Sequence, residues 1–288
     1  LAAFRSQGLT ATPIPISSEP GDVVEPKLET RQICMEFADG GTPEGIPVLS
    51  GISLQIEKSE FVSIVGASGC GKTTFLRILD GLITPSSGDV LIDGCKVTAP
   101  NDRRGFVFQK DSLWPWRTTL DNVLFGLQMQ HRPRRESRAI ALQLIELVGL
   151  KGFESHYPHQ LSGGMRQRVN LARALAIDPD VLLMDEPFAA LDAQTREVMQ
   201  LELLRIWSAE RKTVVFVTHQ IDEAVLLSDR VIVFAARPGR IKEIVDIDLP
   251  RPRTFAMKRT PEFVAIVDRI WKLLEEEVFR SSGVQRPH

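Results

Sequence analysis

The stretch Gly66-Ala67-Ser68-Gly69-Cys70-Gly71-Lys72-Thr73-Thr74 constrains this chain more than any other. It fits G-x-x-x-x-G-K-[ST], the pattern of a phosphate-binding loop, and both flanks have the required character. Before it, Phe61-Val62-Ser63-Ile64-Val65 is apolar and β-branched, which predicts a buried strand. After it, Thr73 to Leu79 has helical spacing and ends at Gly81. Successive backbone N–H groups in such a turn form an anion-binding concavity, and the helix start adds its positive dipole end. Gly66, Gly69 and Gly71 let the backbone approach phosphate oxygens. Lys72 brings a point charge to the β- and γ-phosphates, and the Thr73 hydroxyl suits Mg2+. A chance glycine-rich turn between a core strand and a core helix is the alternative, and it leaves the match of both flanks unexplained.

Charge and cysteine usage narrow the classes further. The 35 Lys and Arg against 37 Asp and Glu leave a net charge of −2, so nucleic acid is not implied as the main ligand. Cys34, Cys70 and Cys95 form no CxxC pair, which suggests neither a disulfide framework nor a zinc site and fits a reducing cytosol. No apolar run approaches the length of a membrane span, and no export signal opens the chain. A first residue of Leu1 reads as a truncated or unusual start. The 288 residues suffice for one large domain, or for one domain with subdomains.

Residues 1–26, with Pro13, Pro15, Pro20 and Pro26 among Ser, Thr and Gly, read as a flexible tail. Leu28 to Phe37 reads as an edge strand, Ala38–Pro47 as a loop, and Val48 to Ile56 as a second strand. Phe37 stands just before that loop, where its ring is either core or free to stack on a base. Ser87 to Gly94 reads as turn, strand, turn, and Gly105 to Gln109 as a strand ending in a polar residue. Gln109 is either an exposed glutamine or a group in reach of a metal or a water. Leu120 to Met129 and Arg138 to Leu150 have helical periodicity around the basic segment His131–Arg135, so a helical insertion over about 111–178 is expected. Trp114-Pro115-Trp116 is either core or a docking surface.

The second half places polar groups after apolar runs. Ser162-Gly163-Gly164 opens a helix that runs to Asp178-Pro179. It is either an ordinary Ser cap or a second anion-binding helix start. Val181-Leu182-Leu183-Met184 is a buried strand with Asp185 and Glu186 at its C-terminal end, where ligands bind in open α/β sheets. Asp185 suits Mg2+, and Glu186 can polarise an attacking water. Asp192 precedes a helix over Gln194 to Glu210 and could be its cap. Thr213 to Val217 is another buried strand, and His219 stands at the same edge as the two acids. A hairpin is expected around Pro238-Gly239. A helix from Thr260-Pro261 should carry Phe263, Val264, Val267, Ile270, Trp271 and Leu274 on one stripe, packed on its own domain.

Taken in order, the phosphate loop, Gln109, Leu161-Ser162-Gly163-Gly164, Asp185-Glu186, Asp192 and His219 resemble the ATP-binding subunit of an ABC transporter. The resemblance covers roughly Leu28 to Ile247. It implies an α/β fold, a P-loop NTPase with a RecA-like core, an N-terminal antiparallel β subdomain and an inserted α-helical subdomain. The implied division is 27–250 for the ATP-binding domain and 251–288 for a C-terminal helix and tail. In the terms of that family, Phe37 resembles the aromatic that stacks on adenine. Gly66, Ala67, Ser68, Gly69, Cys70, Gly71, Lys72, Thr73 and Thr74 hold the phosphates. By the same resemblance Thr73, Gln109 and Asp185 would serve Mg2+, Glu186 would be the catalytic base and His219 the switch histidine. Ser162, Gly163, Gly164 and Gln167 contact ATP across a head-to-tail dimer. Asp192 resembles the aspartate of the D-loop, although Ala189 stands where Ser or Gly is common.

The tract Gln109 to Trp116, Asp121-Asn122-Val123, Ala236 to Ile241 and Leu249-Pro250-Arg251-Pro252 resemble the nitrate, sulfonate and taurine import branch. That branch implies a peripheral ATPase at the cytoplasmic face of the plasma membrane. It would work as a homodimer or with a paired ATPase subunit, contact permease subunits directly, and serve a solute-binding protein indirectly. The competing readings are a soluble ABC-type ATPase acting on ribosomes or DNA, and a non-catalytic nucleotide-binding module. A single cassette with a short helical insertion argues against the first, and a full set of chemical positions against the second.

Overall fold

The computed structural model describes residues 25–38, 45–110 and 112–282, with residues 276–282 described by backbone alone. Apart from its last two residues the expected tail lies outside them, and the Ala38–Pro47 loop is described only at its ends. Strands β1 (Leu28–Phe37) and β2 (Ile46–Ile56) lead into β3 (Phe61–Gly66), which passes through the phosphate loop into α1 (Lys72–Asp80). Then β4 (Ser87–Ile92) and β5 (Cys95–Lys96) return to the first sheet. Strand β6 (Arg104–Val107) precedes the helices α2 (Thr119–Met129), α3 (Arg134–Leu147) and α4 (Gly163–Ala176). The rest alternates: β7 (Val181–Asp185), α5 (Ala193–Glu210), β8 (Thr213–Val217), α6 (Ile221–Leu227), β9 (Arg230–Ala235), β10 (Arg240–Asp246) and α7 (Pro261–Ser282).

Two sheets result. One is antiparallel in the order β2-β1-β4-β5, and the other runs β10-β9-β3-β8-β7-β6. In the second, β3 and β6 to β9 are mutually parallel and β10 closes the edge antiparallel to β9. The expected edge position of β1 is corrected: Thr30 pairs with Leu54 on one side and with Val90 on the other. The strand over Ser87 to Ile92 is what covers it, a long-range pairing that no local pattern announces.

Strand alternation explains how the large sheet sits between two cores. Phe61 and Val65 of β3, Leu182 and Met184 of β7, and Val214 and Phe216 of β8 face one core together with α2 to α7. Val62, Ile64, Val181, Leu183, Val215 and Val217 face the other, with α1 and the antiparallel sheet. Strands buried on both faces read as continuous apolar runs, which is why these three were legible.

Some expectations shift. Helix α3 starts at Arg134, so the last two residues of the basic segment, Arg134 and Arg135, are helical, with Pro133 at the position before it, where a missing N–H costs nothing. Trp114 and Trp116 lie against each other with ring centroids 5.3 Å apart, and Trp116 is 67% exposed, so this pair is not core. On α7, Phe263, Ile270 and Leu274 are buried, whereas Val264 and Trp271 are 54% and 55% exposed. Each of the latter sits one residue beyond the buried line, a rotation of about 100° that carries it outward.

The segment after β10 clamps α6. Arg251 donates to Leu227 O at 2.9 Å and pairs with Asp229, while its guanidinium lies 4.0 Å from the Trp207 ring centroid. Arg253, 5% exposed, donates to the carbonyls of Val225, Leu226 and Ser228 and to those of Ile247 and Leu249. A helix leaves its last carbonyls without partners, and a buried cation there satisfies them and suits the dipole. Burial pushes the Arg253 pKa down to about 10, with the nearby Arg251 charge adding to the effect. Arg253→Met would strand these carbonyls and lower stability by about 3 kcal/mol. Urea unfolding checks this, and a loss under about 1 kcal/mol, the net worth of one hydrogen bond, would contradict it.

Candidate functional site

The parallel register sets four polar segments at one level. Val107 pairs with Met184, Asp185 with Val217, and Ile64 with Val217. Gln109, Glu186, His219 and Gly66 therefore all lie one or two residues past the same line, at the C-terminal edge where α/β sheets bind ligands.

The phosphate loop is held tightly. Lys72, 7% exposed, donates Nζ to Gly66 O at 2.8 Å and to Ala67 O at 3.0 Å. Gly71 has φ 91, and a Cβ there would lie 2.6 Å from Leu49 Cδ2. No side chain fits that conformation or that space. Ser68 and Gly69 are exposed, and Thr73 and Thr74 are half-buried. Burial pushes the Cys70 thiol up, against the pull of Lys72.

The Thr73 hydroxyl donates to Asp185 Oδ1 at 3.0 Å. Burial above all pushes the Asp185 carboxyl up. The Thr73 hydrogen bond, Arg77 and Lys72 draw it down, while Glu186 raises it further. No group of three His, Cys, Asp or Glu side chains among the described residues forms a metal cluster. The Thr73–Asp185 pair instead offers two hard oxygen donors, which fit Mg2+ completed by phosphate and water oxygens.

Beside that pair, three side chains meet at one atom. Gln109 Nε2 donates to Glu186 Oε2 at 3.1 Å, and His219 Nδ1 lies 3.3 Å from the same oxygen. Gln109 thus contacts Glu186 and not the Thr73–Asp185 pair. Glu186 has φ 45, a conformation costly for a residue with a side chain, and its N–H donates to Val217 O at 2.9 Å. That turn at the strand end aims the carboxylate off the sheet.

Ser162 caps α4, accepting from Met165 N at 3.2 Å, and Asp192 caps α5, accepting from Thr195 N at 3.0 Å. Ser162, Gly163, Gly164 and Asp192 line one cavity of about 490 Å³, which neither Lys72 nor Thr73 lines. The two anion-binding helix starts therefore open into different spaces of one chain. Gln167 is 4% exposed and donates to Phe108 O at 3.4 Å, so its side chain faces its own domain, one turn inward from the helix start. Phe37 is exposed at the end of β1, which removes the core alternative.

Gly239 was missed. Sequence reasoning took Pro238-Gly239 for a hairpin turn. That holds, but Gly239 also lies against the phosphate loop. A Cβ there would sit 2.1 Å from Cys70 O and 3.1 Å from Leu49 Cδ2. Its N–H donates to Val48 O at 2.8 Å, and its carbonyl accepts from Ser50 N. A local turn signal carries no information about a contact across 169 residues of chain.

A family model described as ABC transporter matches residues 49–189. Over 260 residues the chain is 52% identical to an uncharacterized ABC transporter ATP-binding protein of Methanocaldococcus jannaschii, covering 90% of this chain and 96% of that one. It is 46% identical over 240 residues to a nitrate import ATP-binding protein of Synechocystis sp., covering 81% and 90%. A solved ATP-binding cassette, dimeric in a post-hydrolysis state with ADP and Pi, matches with a TM-score of 0.70 and 36% identity, over 77% of this chain and all of that one. Fold and site together define an ATPase of the P-loop class. Within that class, the chain belongs to the ATP-binding proteins of ABC transporters.

Two outcomes follow from the packing. Gly239→Ala drives a methyl into the Cys70 carbonyl and shifts the phosphate loop, so nucleotide Kd rises about tenfold with the fold retained. Titration with a fluorescent ATP analogue reads this, and an unchanged Kd would contradict it. For Asp185, folding raises the carboxyl's hold on its proton. Its contribution to stability therefore falls as pH rises through and above the ordinary aspartate range. Asp185→Asn removes that cost and keeps an oxygen for Thr73. The variant should melt above the parent at pH 7, and the gap should close below about pH 4. Calorimetry across pH checks it, and equal melting at pH 7 would count against it.

Proposed function

We propose that this ATPase is the nucleotide-binding subunit of an importer, coupling ATP binding and hydrolysis to uptake of a small anionic solute. Nitrate, a sulfonate, taurine or a related organic acid fits the reading. The observation that carries it is the convergence of Gln109 and His219 on one Glu186 oxygen beside the phosphate loop. It occurs in a chain whose likeness to a nitrate import protein spans 90% of that protein.

The proposed roles follow the geometry. Phe37 stacks on adenine. The loop Gly66 to Thr74 cradles the phosphates, and Lys72 exchanges its carbonyl partners for phosphate oxygens. Thr73 and Asp185 hold Mg2+, which when bound neutralises phosphate charge. Gln109 and His219 orient the Glu186 carboxylate, which polarises the attacking water, and His219 also reaches the γ-phosphate. Little covalent chemistry is asked of the protein, because phosphoryl transfer depends mainly on positioning and electrostatics.

The separation of the Ser162–Asp192 cavity from the phosphate loop supports a dimer, as a homodimer or with a paired ATPase subunit. Ser162, Gly163, Gly164 and Asp192 of one copy would complete the cage around the nucleotide held by Lys72 of the other. Gln167, buried in its own domain, ties α4 to Phe108 O. The exposed Trp114–Trp116 pair on the helical part, about 111–178, is the proposed surface for a permease subunit, through which a solute-binding protein acts indirectly. No helix among the described residues is long and apolar enough to cross a membrane. Attachment at the cytoplasmic face of the plasma membrane would come from the permease.

Glu186→Gln should still bind ATP and dimerise with it, while turnover falls about 10²- to 10⁴-fold. Light scattering and phosphate release check both, and ordinary ATPase rates in this variant would remove Glu186 from its role. Uptake into proteoliposomes holding the permease and binding protein tests the importer reading. ATP-driven entry of nitrate, taurine or an alkanesulfonate is expected. Full ATPase activity without entry of any of them, combined with co-purification with ribosomes, would overturn it.

A further inference from the structure

His219 is carried on the segment between β8 and α6, and its chain neighbours on both sides are tied to one buried carboxylate. The Thr218 hydroxyl donates to Glu223 Oε2 and accepts from Gln220 N at 3.0 Å. Thr218 N is in turn fixed to Ile64 O on β3 at 3.2 Å. The second Glu223 oxygen accepts from Gln200 Nε2, on α5, at 2.8 Å. Glu223, Thr218 and Gln200 are 3%, 2% and 1% exposed. Burial pushes the Glu223 carboxyl up, and the Thr218 hydroxyl, the Gln200 amide and the Arg196 charge draw it back. A carboxylate so far from water is costly unless its oxygens are bonded, and here both are. The network continues along α5. Arg196, one turn before Gln200, donates to Phe188 O at 3.2 Å and to Leu191 O at 2.8 Å. The helix that grips Glu223 therefore also grips the segment that ends in Asp192.

We propose that Glu223 is a positioning residue for hydrolysis. It fixes the backbone of Thr218 and Gln220 so that His219 Nδ1 faces Glu186, with Gln200 on α5 as its anchor. The proposal rests on the reading in which His219 acts on the bound nucleotide. Glu223 touches neither Glu186 nor the phosphate loop, so its effect runs through the histidine alone. Displacing an orienting group by about 1 Å can cost a hundredfold in rate.

The test is a double-mutant cycle on the full-length protein, read by steady-state ATPase kinetics and by equilibrium binding of a fluorescent ATP analogue. Glu223→Ala should lower kcat about tenfold to a hundredfold and leave the nucleotide Kd unchanged. In a His219→Ala background the same substitution should cost nothing more, because there is no imidazole left to place. Glu223→Gln should restore most of kcat. Its amide oxygen still accepts from Thr218, and its amide N–H can donate to Gln200 Oε1, which is buried without a partner. An unchanged kcat in Glu223→Ala, an equal loss in both backgrounds, or a loss of nucleotide affinity matching the loss of kcat would each overturn the proposal. If Glu223→Ala does not fold, Thr218→Val cuts the hydroxyl link alone and takes its place in the cycle. A loss of kcat confined to the His219 background then supports the proposal, and an unchanged kcat or an equal loss in both backgrounds overturns it. Full activity of His219→Ala would instead overturn the underlying role of the histidine, and with it the proposal. That outcome is distinguishable, because it appears in the single His219 variant.

Discussion

Everything at the site depends on the register of three parallel strands. Ile64 on β3 and Asp185 on β7 both pair with Val217 on β8. A slip of one residue along any of these ladders would turn its side chains to the opposite face and move one of the three loops off the common level. Apolar burial on both faces blocks such a slip, because Val215 and Val217 belong to one core and Val214 and Phe216 to the other. The chemistry is thus carried by short loops whose ends are set by an inflexible ladder, and not by the loops' own preferences.

That placement is bought with local strain and desolvation. Glu186 adopts a left-handed conformation, Asp185 keeps a carboxyl that burial disfavours as an anion, and Lys72 is buried among carbonyls. The first two cost stability, and the third confines a cation away from water. They persist because the surrounding sheet and the two cores determine the backbone, which is the usual condition for strain at functional positions. The same contrast separates two charged groups that look alike in sequence. Arg253 is buried to close a helix end, whereas Lys72 is buried against the carbonyls of Gly66 and Ala67 in the phosphate loop.

The parts legible in the sequence were those with local causes. A phosphate loop needs its glycines at fixed spacing, and strands buried on both faces are continuous apolar runs, so Gly66 to Thr74, Val181 to Asp185 and Thr213 to Val217 could be placed from the residues alone. Helix caps are local too, and Ser162 and Asp192 cap as their positions suggest. What stayed hidden was set by contacts distant in the chain. Gly239 matters because Cys70 is adjacent in space, Gln167 turns inward because Phe108 lies there, and β1 is central because β4 returns to it. The apolar stripe of α7 was read one residue too wide, since period alone cannot say where a core stops and Val264 and Trp271 begin to face outward.

The arrangement of the two helix starts constrains how the protein can work. Both α1 and α4 begin with glycines, each leaves backbone N–H groups bare, and each adds the same sign of dipole. If both faced one cavity, a single chain could surround a terminal phosphate. Instead, Ser162 to Gly164 share their cavity with Asp192, and neither Thr73 nor Asp185 lines it. A cage made from one chain is therefore open on one side. The phosphate would then be held without its second set of donors. In the proposed dimer, a two-fold pairing of copies would supply the missing donors at both sites at once. On that proposal, nucleotide binding and association would be one equilibrium. The free energy of closing each cage becomes available to whatever is attached to the two subunits, which gives an ATPase of this class a means of moving a partner.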